Sequence, residues 1–248
     1  MGEQQSSADG RQRLAEYRWM SFDVVGTLID FEQGILDCLR EIAHAEGVGL
    51  DEQHALACFA SAEDEQQRLA PELPFTQMLA PIYQRMAGEM HLPGTEEHGA
   101  ALRESIPRWP AFPDAPEVLA RLAERYRLVA LTNADNWALR HMAATLGDPF
   151  DDSVTAEDVG VNKPDPRVFE ACADRQRVHG YRREDWLHVA QSQYHDIATA
   201  TRLGVATCWI ERRAGKDGFG ATPRPQEITV PDFHFASLDQ LWTAVERA

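Results

Sequence analysis

Four separated segments carry side chains whose chemistry fits together. Asp23 lies near the end of the apolar run 19–25 and is followed by Gly26 and Thr27. Thr132 and Asn133 follow a second apolar run, 127–131. Lys163 precedes Pro164, and Gln191-Ser192-Gln193-Tyr194-His195-Asp196 follows the run 186–190. A carboxylate is a weak nucleophile, but one kept ionised and desolvated can displace a leaving group and form an ester. An ammonium such as Lys163 within a few ångströms of Asp23 would favour that ionised form. Thr27 can hold one carboxylate oxygen by a hydrogen bond. Thr132 and Asn133 sit where a helix begins, a place that attracts anions. Asp196 could pair with Lys163 or position a water, and His195 beside it is a second candidate for activating that water.

These segments meet only if the chain folds in a particular way. Residues 19–25 read as a buried strand running into a turn. Residues 34–47, 51–70, 75–91 and 97–105 have helical spacing. Segment 106–116 contains four prolines and reads as a connector. Beyond it the rhythm changes to strands 127–131, 152–154, 186–190, 206–210 and 233–236, alternating with helices 115–125, 136–146, 166–177, 195–203 and 238–247. Alternation of this kind implies a doubly wound parallel α/β sheet with helices on both faces. The expected organisation is a mobile tail at 1–14, a core from 15–31 and 109–248, and a helical cap at 32–108. In such sheets ligands bind beyond the carboxyl ends of the strands, where all four polar segments lie.

Composition narrows the function classes. The 248 residues suit one large domain or one with an insertion. With 24 Lys and Arg against 40 Asp and Glu, the net charge is −16, which disfavours nucleic acid and anionic membranes as partners. No apolar stretch approaches a membrane span, and the first residues lack a signal core, so a cytoplasmic location is expected. Met1-Gly2 and the residues after it match a myristoylation pattern, read here as chance because no polybasic segment follows. The four cysteines lack zinc or disulfide spacing and read as reduced thiols. No G-x-G-x-x-G follows a strand, so no redox cofactor is implied.

Phe22-Asp23-Val24-Val25-Gly26-Thr27, Leu131-Thr132-Asn133, Lys163-Pro164-Asp165 and Asp196, in this order, resemble the haloacid dehalogenase superfamily. Thr207-Cys208-Trp209-Ile210-Glu211-Arg212 is similar to its L-2-haloacid dehalogenase branch. The resemblance implies an Asp23 nucleophile attacking C2 of a small 2-substituted carboxylic acid, with Lys163, Asp196, Thr27 and His195 in catalytic positions. Thr132, Asn133, Val25, Gln191 and Gln193 would face the substrate, a small anion. No metal or other cofactor is required; Mg²⁺ enters only under a phosphatase alternative. That alternative is weakened because Val25 and Ser192 stand where the phosphatase branch has Asp. Relatives commonly pair as dimers, which leaves a homodimer open. The branch also has Tyr where this chain has Val25 and Phe169, and a halide-receiving Arg in the early cap. Here that stretch reads Glu63-Asp64-Glu65, with Arg68 the nearest arginine. The simple reading of this acidic run is a solvated helix face. A sharper one places a carboxylate over the site to steady a protonated amine, as in opening a strained cyclic amino acid. A non-catalytic binding protein on the same fold is the third alternative.

Overall fold

The computed structural model describes residues 14–248; the expected tail 1–13, with its Gly2 match, lies outside the described residues. Leu14, assigned to that tail, belongs to the core instead: its side chain is 1% exposed and its carbonyl accepts the Tyr126 hydroxyl. Six parallel strands form one sheet in the order β3-β2-β1-β4-β5-β6. They are β1 (Trp19–Phe22), β2 (Arg127–Thr132), β3 (Asp152–Thr155), β4 (Trp186–Ala190), β5 (Ala206–Ile210) and β6 (Phe233–Phe235). The order reverses between β1 and β4, which pair directly, with Ser21 beside His188. A crevice opens beyond the carboxyl ends at such a reversal. Asp23 enters it at once, its N–H still bonded to the Val189 carbonyl at 3.0 Å.

Strand β1 is therefore shorter than the apolar run suggests. Val25 leaves the sheet to bridge to Ile29, and Gly26 turns the chain with φ +89°. A Cβ on Gly26 would also lie 3.1 Å from the Phe31 ring, so glycine serves both the turn and the close approach.

Alternation along the strands divides the apolar side chains between two faces. Met20, Phe22, Leu187 and Val189 join the larger cluster, which extends into the cap. Trp19, Leu131, Trp186, Val168 and Phe169 form a smaller one. Trp19 and Trp186 stack with ring centroids 4.5 Å apart. The helices over these faces include α5 (Ala115–Ala123), α6 (Asn136–Thr145), α7 (Ala156–Val159), α8 (Pro166–Arg177), α9 (Ala198–Arg202) and α10 (Leu238–Glu246), numbered after the four helices of the cap.

The cap helices are α1 (Phe31–Glu46), α2 (Glu52–Leu69), α3 (Phe75–Ala87) and α4 (Glu96–Glu104). Helix α1 starts earlier than its periodicity suggests because Asp30 caps it by accepting the Gln33 N–H. Helix α3 stops at Ala87, short of the expected 91, and the chain turns through His91 at φ 55°. The segment expected to be helical at 195–203 opens as a π-turn over Gln193–Ile197 and becomes α-helical only at Ala198. Phe31, Phe59, Phe75 and Trp109 interlock where cap meets core, with ring centroids 6.3 to 6.5 Å apart. All four cysteines are buried free thiols. No helix among the described residues is long and apolar enough to cross a membrane.

Gly34 of α1 lies against the connector: a Cβ there would clash with the Trp109 ring. Trp109 is fixed in place, its indole N–H donating to the Ser105 hydroxyl at 2.8 Å. Gly34→Ala is expected to cost about 1–3 kcal/mol through overpacking, read as a lower urea midpoint at unchanged m-value.

Candidate active site

The site is built around one buried ammonium. Lys163 is 1% exposed, and its Nζ donates to Asp23 Oδ1 at 2.9 Å, Asp196 Oδ1 at 2.7 Å and the Leu131 carbonyl at 2.8 Å. All three ammonium hydrogens are thereby used. Asp23 Oδ2 accepts the Thr27 hydroxyl at 2.6 Å, and Thr27 in turn accepts the Gln191 N–H at 2.8 Å. The chain thus brings Asp23, Thr27, Lys163 and Asp196 together as expected. Arg212 reinforces the turn, donating to the Thr27 carbonyl at 2.9 Å and to Asp114 at 2.8 Å.

The charge balance differs from the simple expectation. Burial raises the Asp23 pKa and the Asp196 charge adds to it; Lys163 and Thr27 oppose this without overcoming it. Asp196 moves the other way. Burial works against its ionisation, but Lys163 and a hydrogen bond from His188 together outweigh burial and lower its pKa. Burial likewise opposes the Lys163 charge, yet the two carboxylates raise its pKa overall. One ammonium shared by two carboxylates serves the closer, better-bonded one first.

A polar chain behind Asp196 went unread in the sequence. Trp186 Nε1 donates to Ser21 Oγ at 2.7 Å, Ser21 pairs with His188 Nδ1 at 2.7 Å, and His188 Nε2 meets Asp196 Oδ1 at 2.9 Å. The Asp196 carboxylate can only accept, so His188 presents Nε2–H to it; Nδ1 of the neutral ring then takes the Ser21 hydroxyl hydrogen, while Ser21 accepts the indole N–H. Asp196 Oδ2 is buried and has no hydrogen-bond partner.

A small pocket of about 40 Å³ faces these groups. Its wall includes Asp23, Val25, Asn133, Lys163, Gln191, His195 and Asp196 from the core, and Phe31, Glu63 and Phe75 from the cap side. Glu63 overturns the solvated-face reading: it is 5% exposed, and burial, reinforced by the Asp64 charge, pushes its pKa up to about 8. Asp64 and Glu65 do point outward, to Arg68 and Arg85. His195 is held neutral, its pKa pushed down to about 4 by burial and by Lys163, against the pull of Asp196. Gln67, also missed in the sequence, donates through Nε2 to the Lys163 carbonyl, so its Oε1 faces His195 Nε2 at 3.2 Å. His195 therefore carries its proton on Nε2, and Nδ1 takes the Ser192 hydroxyl at 3.2 Å.

Two expected substrate contacts, Thr132 and Gln193, are corrected. The Thr132 hydroxyl accepts the Ala134 N–H, folding back on its own turn rather than facing the pocket. Asn133 stays on the pocket wall while its amide grips the Lys163 backbone, accepting its N–H at 2.6 Å and donating one hydrogen to its carbonyl at 3.0 Å. Gln193 turns away, exchanging hydrogen bonds with the Thr229 backbone. Most of the leading N–H groups of α6 are also committed. Side chains of Thr132, Thr76, Glu157 and Asp135 accept the N–H groups of Ala134, Asp135, Asn136 and Ala138. Gln191 remains: its Oε1 accepts the Thr222 hydroxyl at 3.4 Å, leaving Nε2 without a partner among the described residues.

The family model for haloacid dehalogenase-like hydrolases matches residues 17–204. The chain belongs to this family. Among its relatives, an (S)-2-haloacid dehalogenase of Pseudomonas fluorescens is 26% identical over 83% of this chain and 70% of its own length. The (S)-2-haloacid dehalogenase 4A of Burkholderia cepacia is 24% identical over 89% and 91%. A solved L-2-haloacid dehalogenase from Xanthobacter autotrophicus shares the fold at 19% identity, with a TM-score of 0.73 over 93% of this chain and 98% of that one.

Magnesium, one option in the superfamily, fits the residues of this haloacid dehalogenase-like hydrolase poorly. Asp23 and Asp196 each commit an oxygen to Lys163, so a cation already sits between them. Among the described residues these carboxylates form no three-ligand group. One free oxygen on Asp196 is far from an octahedral oxygen shell.

Removing Lys163 would leave two buried carboxylates facing each other. Lys163→Met is expected to cost about 3–5 kcal/mol in urea denaturation at neutral pH. Adding Asp196→Asn should recover part of that loss, because only one buried charge then lacks its partner.

Proposed function

We propose that this hydrolase displaces a leaving group from C2 of a small 2-substituted carboxylic acid through an ester on Asp23. An Asp23 oxygen attacks C2, and the bond to the leaving group breaks with its electron pair. Water then attacks the Asp23 carbonyl carbon, the bond from that carbon to the substrate-bearing oxygen breaks, and a 2-hydroxy acid departs; one water proton goes to that oxygen and the other to solvent, restoring the Asp23 carboxylate. The observation that carries this reading is a desolvated Asp23 carboxylate held by Lys163 and Thr27 on the wall of a small pocket. Its raised pKa marks a more basic, hence more nucleophilic, carboxylate than Asp196. Gln191 Nε2 supplies a donor for the substrate carboxylate. The bond-free Asp196 Oδ2 accepts a proton of the hydrolytic water, a role His195 cannot fill while Ser192 occupies Nδ1. The reading calls for no cofactor, and phosphoryl transfer lacks the acid that Val25 replaces.

Glu63 favours one variant of this chemistry. A halide leaves without a proton, whereas an amine or alkoxide needs one. Glu63 stays largely protonated at neutral pH and faces the same pocket, so it can donate that proton. Opening of a strained cyclic amino acid is then favoured alongside dehalogenation.

A single turnover in ¹⁸O-water with enzyme in excess should give unlabelled product oxygen, because that oxygen comes from Asp23. Label appearing at once would mean water attacks C2 directly. Asp23→Asn should abolish turnover of every substrate, with the urea midpoint reporting whether folding survives.

The pH dependence of kcat/KM tests the charge assignments. Its acid limb should lie above the ordinary carboxylate range, since Asp23 must lose its proton to attack. With a basic leaving group an alkaline limb should appear near 8, as Glu63 loses the proton it donates. Glu63→Gln should remove that limb and most of that activity while sparing 2-chloropropionate. Equal losses on both substrates would remove Glu63 from the chemistry.

A further inference from the structure

Away from the pocket, the outer end of the cap holds a second grouping. Among the described residues, one set of three or more His, Cys, Asp and Glu side chains has metal-ligand spacing: His54, Cys58 and Glu89, with ligand atoms all within 4.8 Å of one another. His54 and Cys58 are four residues apart on α2, so they share a helix face. Glu89 follows the end of α3, which runs back alongside α2. Cys58 is buried while His54 and Glu89 reach solvent, so the sulfur forms the floor and the other two ligands the rim.

Two of the three ligand separations match a tetrahedral ion, and the third is within 4.8 Å. Zinc bonds of about 2.3 Å to sulfur and 2.0–2.1 Å to nitrogen or oxygen put such ligand atoms about 3.5 Å apart. Cys58 Sγ lies 3.5 Å from His54 Nε2 and 3.4 Å from Glu89 Oε2. A thiol, an imidazole and a carboxylate are a donor set suited to a borderline-soft divalent ion and poorly matched to magnesium or calcium.

We propose that His54, Cys58 and Glu89 bind one zinc-class divalent ion, with a solvent molecule in the fourth position. Without metal, the Cys58 thiol donates its hydrogen to Glu89. Binding replaces that hydrogen: the ion takes the thiolate, and one proton passes to solvent. The ion ties the start of α2 to the end of α3. The same α2 presents Glu63 to the pocket and Gln67 to His195, yet the metal site stands independently of the reaction proposed above.

The test uses the full chain stripped with a chelator and titrated with Zn²⁺ against a chromophoric competitor, and separately with Co²⁺. One equivalent should bind, and the cobalt form should show a thiolate-to-metal charge-transfer band. Cys58→Ser should abolish the band, and Glu89→Gln and His54→Gln should each weaken Zn²⁺ binding at least tenfold. At equal Zn²⁺ the Tm gain should be smaller in Glu89→Gln than in the wild type, at an exposed position where folding should be unaffected. A charge-transfer band that survives Cys58→Ser, or Zn²⁺ binding equally strong in Glu89→Gln, would overturn the assignment, as would no stoichiometric binding by the wild type.

Discussion

The structure depends on one constraint: an ammonium buried beneath the sheet's carboxyl edge must be fully satisfied. A lone buried charge is costly, and even a paired one is tolerable only when its remaining hydrogen-bonding capacity is met. Lys163 meets this through two carboxylates and a strand carbonyl. Those partners come from the end of β1, from β2 and from the turn after β4. The satisfied charge therefore also reports that three strands are in register. The Asn133 amide grips the Lys163 backbone from both sides, so even the loop that carries the lysine has little freedom.

The two carboxylates are chemically unequal because their surroundings are. Asp196 receives a second charge-stabilising hydrogen bond from His188, which is oriented by Ser21 and Trp186. Phe169 closes over that imidazole, edge-to-face at 5.3 Å. This arrangement leaves Asp23 the more basic member of the pair. A hydrophobic sheet face thus shapes reactivity at a distance, by fixing which carboxylate holds the shared cation more tightly.

Much of this was legible in the sequence because strand ends are punctuated. Asp23, Thr27, Lys163 and Asp196 each stand where an apolar run breaks, and α/β alternation alone brings such breaks to one edge. Ser21 and His188 were not legible. Each lies inside an apolar run, where a single polar residue gives no hint of its partner until the β1–β4 register is known. Glu63 was misread for a reason available in the sequence. Three consecutive helical residues point about 100° apart, so Glu63, Asp64 and Glu65 cannot all face solvent beside the buried Phe59, Ala62 and Gln66. The expected anion site at Thr132 and Asn133 failed because nearby side chains had already taken the helix amides, a tertiary fact without local signal.

The filled amides at the start of α6 have a wider consequence. With four of its leading N–H groups committed to side chains, that helix start offers a small inorganic anion few free donors. Admission is left to shape and to a few donors near the cap. Selectivity can then drift through substitutions in the lid while the reacting machinery underneath stays untouched.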